Sequence, residues 1–304
     1  MADCNSFLLQ AARSIEPTKA QKDRAVISHN HLRGLMSDGR FGGRIVGTYL
    51  SGSYERSTAI APLDDVDIIF LIDPSKWKTS FLSSRPSPEA LISSFAGAVK
   101  TRYPSSKVVR QRRSVCLELN HLSLDLVPAI PMDSTGTYIE IPDRNLDTWI
   151  RSSPKTHSDY STRVNQANAG HLKPIIKLLK HWNTKLPSTA NLKSFAIETL
   201  VTRILDKHRT DSIQKGLLHF FDFVAFLGGE ASHFRWNDRC GVSFGLYPSM
   251  HDGALISNLL ANADATRIKR FVSNSVTSRN RMLEGYDAVR PDTAWNKSSQ
   301  AIKY

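Results

Sequence analysis

Apolar residues recur along this chain with two different periods, and the change from one to the other divides it. Over residues 17–36, Val26, Ile27, Leu32, Leu35 and Met36 form a partial apolar stripe behind Pro17, a residue that can open a helix. Residues 44–51 and 66–72 are rich in Ile, Val, Tyr and Phe and read as strands, with a polar loop over 52–65 between them. Ser87-Pro88-Glu89 starts a helix that gathers Leu91, Ile92, Phe95 and Val99 on one face and ends before Pro104. Residues 115–119 and 122–127 can pair as a hairpin across Asn120-His121, and 137–141 make a further short strand. Beyond about residue 160 the period lengthens. Leu172, Ile175, Ile176, Leu179 and Trp182 recur at helical spacing, as do Ile197, Leu200, Val201, Ile204 and Leu205, and residues 255–272 repeat the habit. The pattern predicts a first half mixing helix and strand and a mostly helical second half. The boundary falls in the polar stretch 154–170, giving units of 1–160 and 161–304.

The chain has 304 residues, enough for two domains of roughly 150 residues and a sizeable core. Its longest apolar stretch, 217–227, is broken by His219 and Asp222 and falls short of the ~18 residues of a membrane span. The start MADCNSFLLQ lacks the basic and apolar segments of an export signal. Cys4, Cys116 and Cys240 are too far apart in sequence for a zinc cluster or a disulfide framework. A cytoplasmic protein with reduced thiols and no membrane partner is expected. Forty basic against 28 acidic residues leave a net charge of +12, which suits polyanionic partners, although a basic solvated surface would look the same. Residues 107–113, KVVRQRR, hold four of those charges and are a candidate polyanion surface or a solvated strand. His29 and His31 do not share a helix face and read as surface residues.

Chemistry concentrates in 52–67. Asp65 and Asp67 stand at i and i+2 at the start of a strand, so their side chains leave one face while Asp64 points the other way. Asp73 shares that face but lies about 20 Å along the strand. Two carboxylates on one face suit Mg²⁺, an oxygen-seeking ion that takes one or two carboxylates plus substrate phosphates; the alternative is that they cap a turn. The run Ile68-Ile69-Phe70-Leu71-Ile72 is apolar enough for a strand buried on both faces, where a carboxylate needs a partner. Gly52-Ser53 offers a small hydroxyl and exposed N–H groups that can cradle phosphate, or an ordinary turn. Asp125 lies in Leu122-Ser123-Leu124-Asp125-Leu126-Val127-Pro128, opposite the leucine face.

These motifs resemble the polymerase-beta nucleotidyltransferase superfamily. The string Gly52-Ser53-Tyr54-x-Arg56-x-Thr58-x-Ile60-x-Pro62-Leu63-x-Asp65-Val66-Asp67-Ile68 is similar to the bacterial relatives of cyclic GMP–AMP synthase and oligoadenylate synthase, the CD-NTases. Residues 173–183 and 192–198 resemble the helical-domain motifs of the same family. Lys173, Lys177 and Lys180 share one helix face by spacing alone, which a solvated lysine face would also explain. Ser194 precedes a periodic apolar run, near a helix N-terminus that could receive an anion or carry a plain cap.

The resemblance implies an α/β (α+β) fold: a polymerase-beta-like nucleotidyltransferase core with a mixed sheet, plus a helical C-terminal lobe closing over it. It implies that Asp65, Asp67 and Asp125 bind two Mg²⁺ (or Mn²⁺) ions, with Asp125 helping to deprotonate the attacking ribose hydroxyl. Gly52 and Ser53 bind nucleotide, Lys180 and Ser194 hold the donor's outer phosphates, and Phe195 stacks on the base where core packing is the alternative. The implied substrates are NTPs, ATP and/or GTP. The implied partners are a nucleic-acid or protein activator and an effector that binds a cyclic di- or trinucleotide made for antiviral defence. The animal DNA sensor's His-Cys-Cys-Cys zinc cluster has no counterpart here. The alternatives are a synthase of linear oligonucleotides, an enzyme modifying RNA 3′ ends, and an inactive RNA-binding homologue.

Overall fold

The computed structural model describes residues 4–38, 43–77, 84–244, 249–250, 258–288 and 291–303. They fall into two compact units, Pro17–Asp159 and Met1–Glu16 with Tyr160–Tyr304. The elements follow in the order α1 (Cys4–Ser14), α2 (Lys19–Ser37), β1 (Ile45–Ser51), α3 (Gly52–Glu55), β2 (Asp65–Ile72), α4 (Pro88–Arg102), β3 (Lys107–Arg110), β4 (Val115–Glu118), β5 (Ser123–Pro131), β6 (Ile139–Asp143), β7 (Thr148–Ser152), α5 (Pro154–Ala167), α6 (Leu172–Thr184), α7 (Ser194–Lys207), α8 (Ile213–Leu227), β8 (Val242–Ser243), β9 (Ser249–Met250), α9 (Ala265–Tyr286) and α10 (Pro291–Ala301).

In Pro17–Asp159 a seven-stranded mixed sheet runs β1-β2-β5-β4-β3, with β6 continuing from β5 and β7 beyond it. Only β2 and β5 pair in parallel. The expected hairpin is present, closed by a hydrogen bond from the Leu119 amide to the Leu122 carbonyl at 3.0 Å. Strand alternation sends Val66, Ile68, Phe70 and Ile72 of β2 to one face, where Leu91, Ile92, Phe95 and Val99 of α4 and Leu32 and Met36 of α2 cover them. The Phe70 and Phe95 rings meet edge to face, 5.3 Å between centroids. Both helices begin with side-chain caps: Thr18 forms a capping box with Gln21, and Ser87 accepts from the Ala90 amide. The opposite face of β2 carries Ile69 and Leu71, packed with Ala129 and Ile139, so the strand is buried on both sides beyond its acidic start.

The second unit is built on α1, the part of α5 from Tyr160 onward, and α6–α10. Trp182 of α6 sits at its centre, its ring 5.1 Å from Phe221 and 5.5 Å from Phe271, with Nε1 donating to Ser278 Oγ at 3.0 Å. Leu8, Ala11 and Ala12 of α1 join this core, which is why the first helix groups with it. Asp222, the charge that interrupts the apolar run of α8, is fully buried. It accepts from Ser232 Oγ, the His233 and Phe234 amides and Trp236 Nε1 at 2.6–3.1 Å, fastening the segment after the helix. The polar stretch 154–170 is mostly helix α5, whose buried side chains are only Ser161 and Val164, too few to mark a stripe. Of the helical pattern over 255–272, residues 255–257 lie outside the described residues. Helix α9 starts at Ala265, capped by Asp264 on the Arg267 amide at 2.7 Å.

Two surface expectations change. His29 is buried, edge-on to Tyr54 at 6.0 Å. The basic run 107–113 is matched by carboxylates: Lys107 with Glu118 at 2.8 Å, Arg110 with Glu89 at 2.8 Å, and Arg112 and Arg113 with Asp143 at 2.8 and 2.9 Å. Burial works against the Asp143 carboxylate, yet the two guanidinium groups hold it below its ordinary range. Among the described residues, no helix is long and apolar enough to cross a membrane.

Candidate active site

The three aspartates come together because of strand register. Asp65 and Asp67 leave the same face of β2, and the parallel pairing sets Asp67 directly beside Asp125 of β5. One carboxylate oxygen from each of the three lies within 4.8 Å of the others. On the far side of β2, Ser51 at the end of β1 is registered against Asp67, and the chain then turns at Gly52 with φ +73°. A methyl carbon on Gly52 would overlap Oδ2 of Asp67 and stand 2.8 Å from its Cγ, so only glycine lets the turn lie against the carboxylate. Ser53 follows in the short helix α3. Its carbonyl accepts from the Thr58 and Ala59 amides at 2.9 and 3.1 Å, which folds the loop back over itself.

Concentrating negative charge here has a visible cost. Burial, then Asp65 and Asp125, push the Asp67 carboxyl up to about 6, with Arg56 working the other way. Burial also raises Asp125, opposed by donors on Cys116 and Gln111 and assisted by Asp65. Asp125 Oδ1 is buried with no hydrogen-bond partner. An orphaned carboxylate oxygen beside two further carboxylates makes a set of hard oxygen donors that fits a divalent metal ion. Among the described residues, this is the one cluster of three or more acidic, His or Cys side chains placed to hold a metal.

Cys116 of β4, registered against Asp125, had no signal in the sequence pattern. Arg56, which stands in the 52–68 string without a role read from it, is buried beside the site. Burial and Asp125 push the Cys116 thiol up to about 11.

The remaining candidates belong to the helical unit. Ser194 is exposed and is the first residue of α7; the preceding N-cap is Lys193, whose side chain caps nothing. Phe195 follows, half-buried. Two of the three lysines of α6 are buried, and Lys173 is half-buried. Lys177 pairs with Glu16 at 2.7 Å, and Lys180 pairs with Glu198 of α7 at 3.0 Å, where the two side chains are 4% and 3% exposed.

The sequence profile of the Second Messenger Oligonucleotide or Dinucleotide Synthetase domain matches residues 2–165. A cyclic AMP-AMP-AMP synthase from Acinetobacter sp. is 28% identical over 276 residues, covering 86% of this chain and 74% of that protein. The solved structure of E. coli MS115-1 CdnC with ATP superposes with a TM-score of 0.74 at 17% identity, covering 99% of this chain and 98% of that one. CdnC in its complex with HORMA-deltaN gives a TM-score of 0.73 at 17% identity, over 98% and 96% of the two chains. These likenesses place the fold among the polymerase-beta-like nucleotidyltransferases, in agreement with the mixed sheet and helical C-terminal part.

Proposed function

The chain belongs to the family of Second Messenger Oligonucleotide or Dinucleotide Synthetase domains and is a nucleotidyltransferase, and we propose on that premise that it joins nucleoside triphosphates, ATP and/or GTP, into a cyclic di- or trinucleotide that acts as an antiviral signal. The observation that carries the reading is the carboxylate triangle of Asp65, Asp67 and Asp125 with its orphaned oxygen, pressed against a turn that only Gly52 permits.

Asp65, Asp67 and Asp125 would hold divalent metal, two Mg²⁺ ions in this reading, with Asp125 contributing to the second. When bound, such ions neutralise the triphosphate and acidify the attacking hydroxyl. A ribose hydroxyl of the acceptor attacks the α-phosphorus of the donor; one phosphodiester bond forms, the bond to pyrophosphate breaks, and the hydroxyl proton passes to Asp125. Gly52 lets the backbone at Ser53 approach a phosphate. Lys180 and Ser194 take the outer phosphates, and Phe195 stacks on the donor base. A second transfer within the linear intermediate closes the ring.

The CdnC–HORMA-deltaN complex makes a protein the favoured class of activator, and an effector that binds the cyclic product is the downstream partner. The test is a mass spectrum of the products formed from all four NTPs with Mg²⁺. A cyclic product has the summed mass of its nucleoside monophosphates less one water per linkage, with as many linkages as nucleotides. A product that retains one more water or a 5′-triphosphate contradicts the reading.

A further inference from the structure

The Lys180–Glu198 pair is costly for its position. Its charges sit 3.0 Å apart in a core whose neighbours along α6 and α7, Ile176, Leu179, Ile197 and Val201, are fully buried and apolar. Taking two such charges out of water costs more than their attraction usually returns, and well-packed apolar residues would be as stable or more so. The pair therefore calls for a reason other than stability, and its place on α7 offers one.

Glu198 lies four residues after Ser194, so the two share a helix face, with Cβ atoms about 5–6 Å apart. Ser194 is exposed at the helix start, where free backbone N–H groups and the helix dipole favour an anion. Glu198 thus tethers the Lys180 ammonium about one turn inside the end of α7. A lysine stem is long and flexible. The ion pair holds its end in one place.

We propose that Glu198 is a positioning residue that fixes the ammonium of Lys180 about one turn inside the start of α7, so that the outer phosphates of a bound triphosphate meet an organised cation. The inference rests on the reading of Lys180 and Ser194 as triphosphate-binding residues. Glu198 itself repels phosphate and acts only through the lysine. Its substitution should therefore change triphosphate affinity without changing the chemical step.

The experiment uses the full chain and inorganic tripolyphosphate as the probe, with calorimetric binding measured well below each variant's unfolding temperature, alongside KM and kcat for ATP. Glu198→Asp, which keeps the charge and shortens its reach, and Glu198→Gln should each weaken tripolyphosphate binding about tenfold, the scale of one charge-assisted hydrogen bond. KM for ATP should rise while kcat stays within about twofold, the signature of lost uniform binding. Normal tripolyphosphate binding in both variants, with weak binding in Lys180→Met, overturns the positioning role and leaves the lysine assignment standing. Normal binding in Lys180→Met removes that assignment, and the inference with it. If the single Glu198 variants do not fold, Lys180→Met/Glu198→Leu replaces the whole pair by apolar side chains. It should bind tripolyphosphate at least as well as Lys180→Met does, since it also removes a carboxylate that repels phosphate, and further weakening would show that Glu198 acts independently of the lysine and overturn the proposal.

Discussion

Replacing Asp67 by Asn should stabilise the metal-free protein at neutral pH while abolishing synthesis. The Asp67 carboxyl is lifted from 3.8 to about 6 by burial and by its two acidic neighbours. At about 1.4 kcal/mol per tenfold change in proton affinity, ionising it in the folded state costs about 3 kcal/mol. The sign follows from linkage. A group whose folded pKa is raised contributes no penalty below its unfolded value, and the penalty grows until pH passes the folded value. In EDTA, Asp67→Asn and wild type should be equally stable near pH 4. The variant should gain between pH 4 and 6 and lead by up to about 3 kcal/mol from pH 7 upward. Urea unfolding at half-unit pH intervals measures the difference, and amide exchange in β2 and β5 localises it to the sheet that carries the triad. Adding Mg²⁺ should reverse the order, since wild type gains the binding free energy of an ion that the variant holds poorly. A difference that is flat with pH, or a variant less stable than wild type at pH 8 in EDTA, would refute the argument that burial and two acidic neighbours penalise the ionised Asp67 in the folded state.

Gly52→Ala should fold but lose most activity, because its added carbon cannot coexist with the present position of Asp67; product yield at saturating NTP is the check. Asp222→Ala leaves four donors and the nearby Arg279, at 3.6 Å, without their acceptor. It should cost about 3–5 kcal/mol by thermal unfolding and expose residues 229–240 to protease. Arg112→Gln/Arg113→Gln strips a buried Asp143 of both cations, so it should lower stability markedly while leaving any RNA binding nearly unchanged in a salt titration. Trp182→Ala should cost about 3–5 kcal/mol, since the ring fills the centre of the helical core.

The triad was legible in the sequence because strand alternation alone puts Asp65 and Asp67 on one face, and the leucines of 122–126 force Asp125 onto the opposite side of its strand. What alternation could not supply was the register of a parallel pair between strands far apart in the chain, and that register brings Asp125 beside Asp67. The elements that escaped notice share a cause. Helix α5 buries too little to carry a stripe, and the edge strand β3 reads as a charge run because its Lys107 and Arg110 face carboxylates on β4 and α4. The lysines of α6 are spaced like a solvated face, and only the fold reveals Glu16, 161 residues from Lys177, and Glu198 beside Lys180. Asp222 looked like a flaw in an apolar run until its four donors were in place.

Cyclisation is the central claim, and the fate of a phosphate label tests it most directly. The full chain is incubated with α-³²P-labelled NTPs and Mg²⁺, and the mature product is treated with phosphatase before separation. In a cyclic product every phosphate is a diester, so all label should stay with the product, which should form without a nucleic-acid primer. Release of terminal phosphate from the mature product, or a ladder of lengths that grows with time, would contradict the account and leave a linear-oligomer synthase in its place.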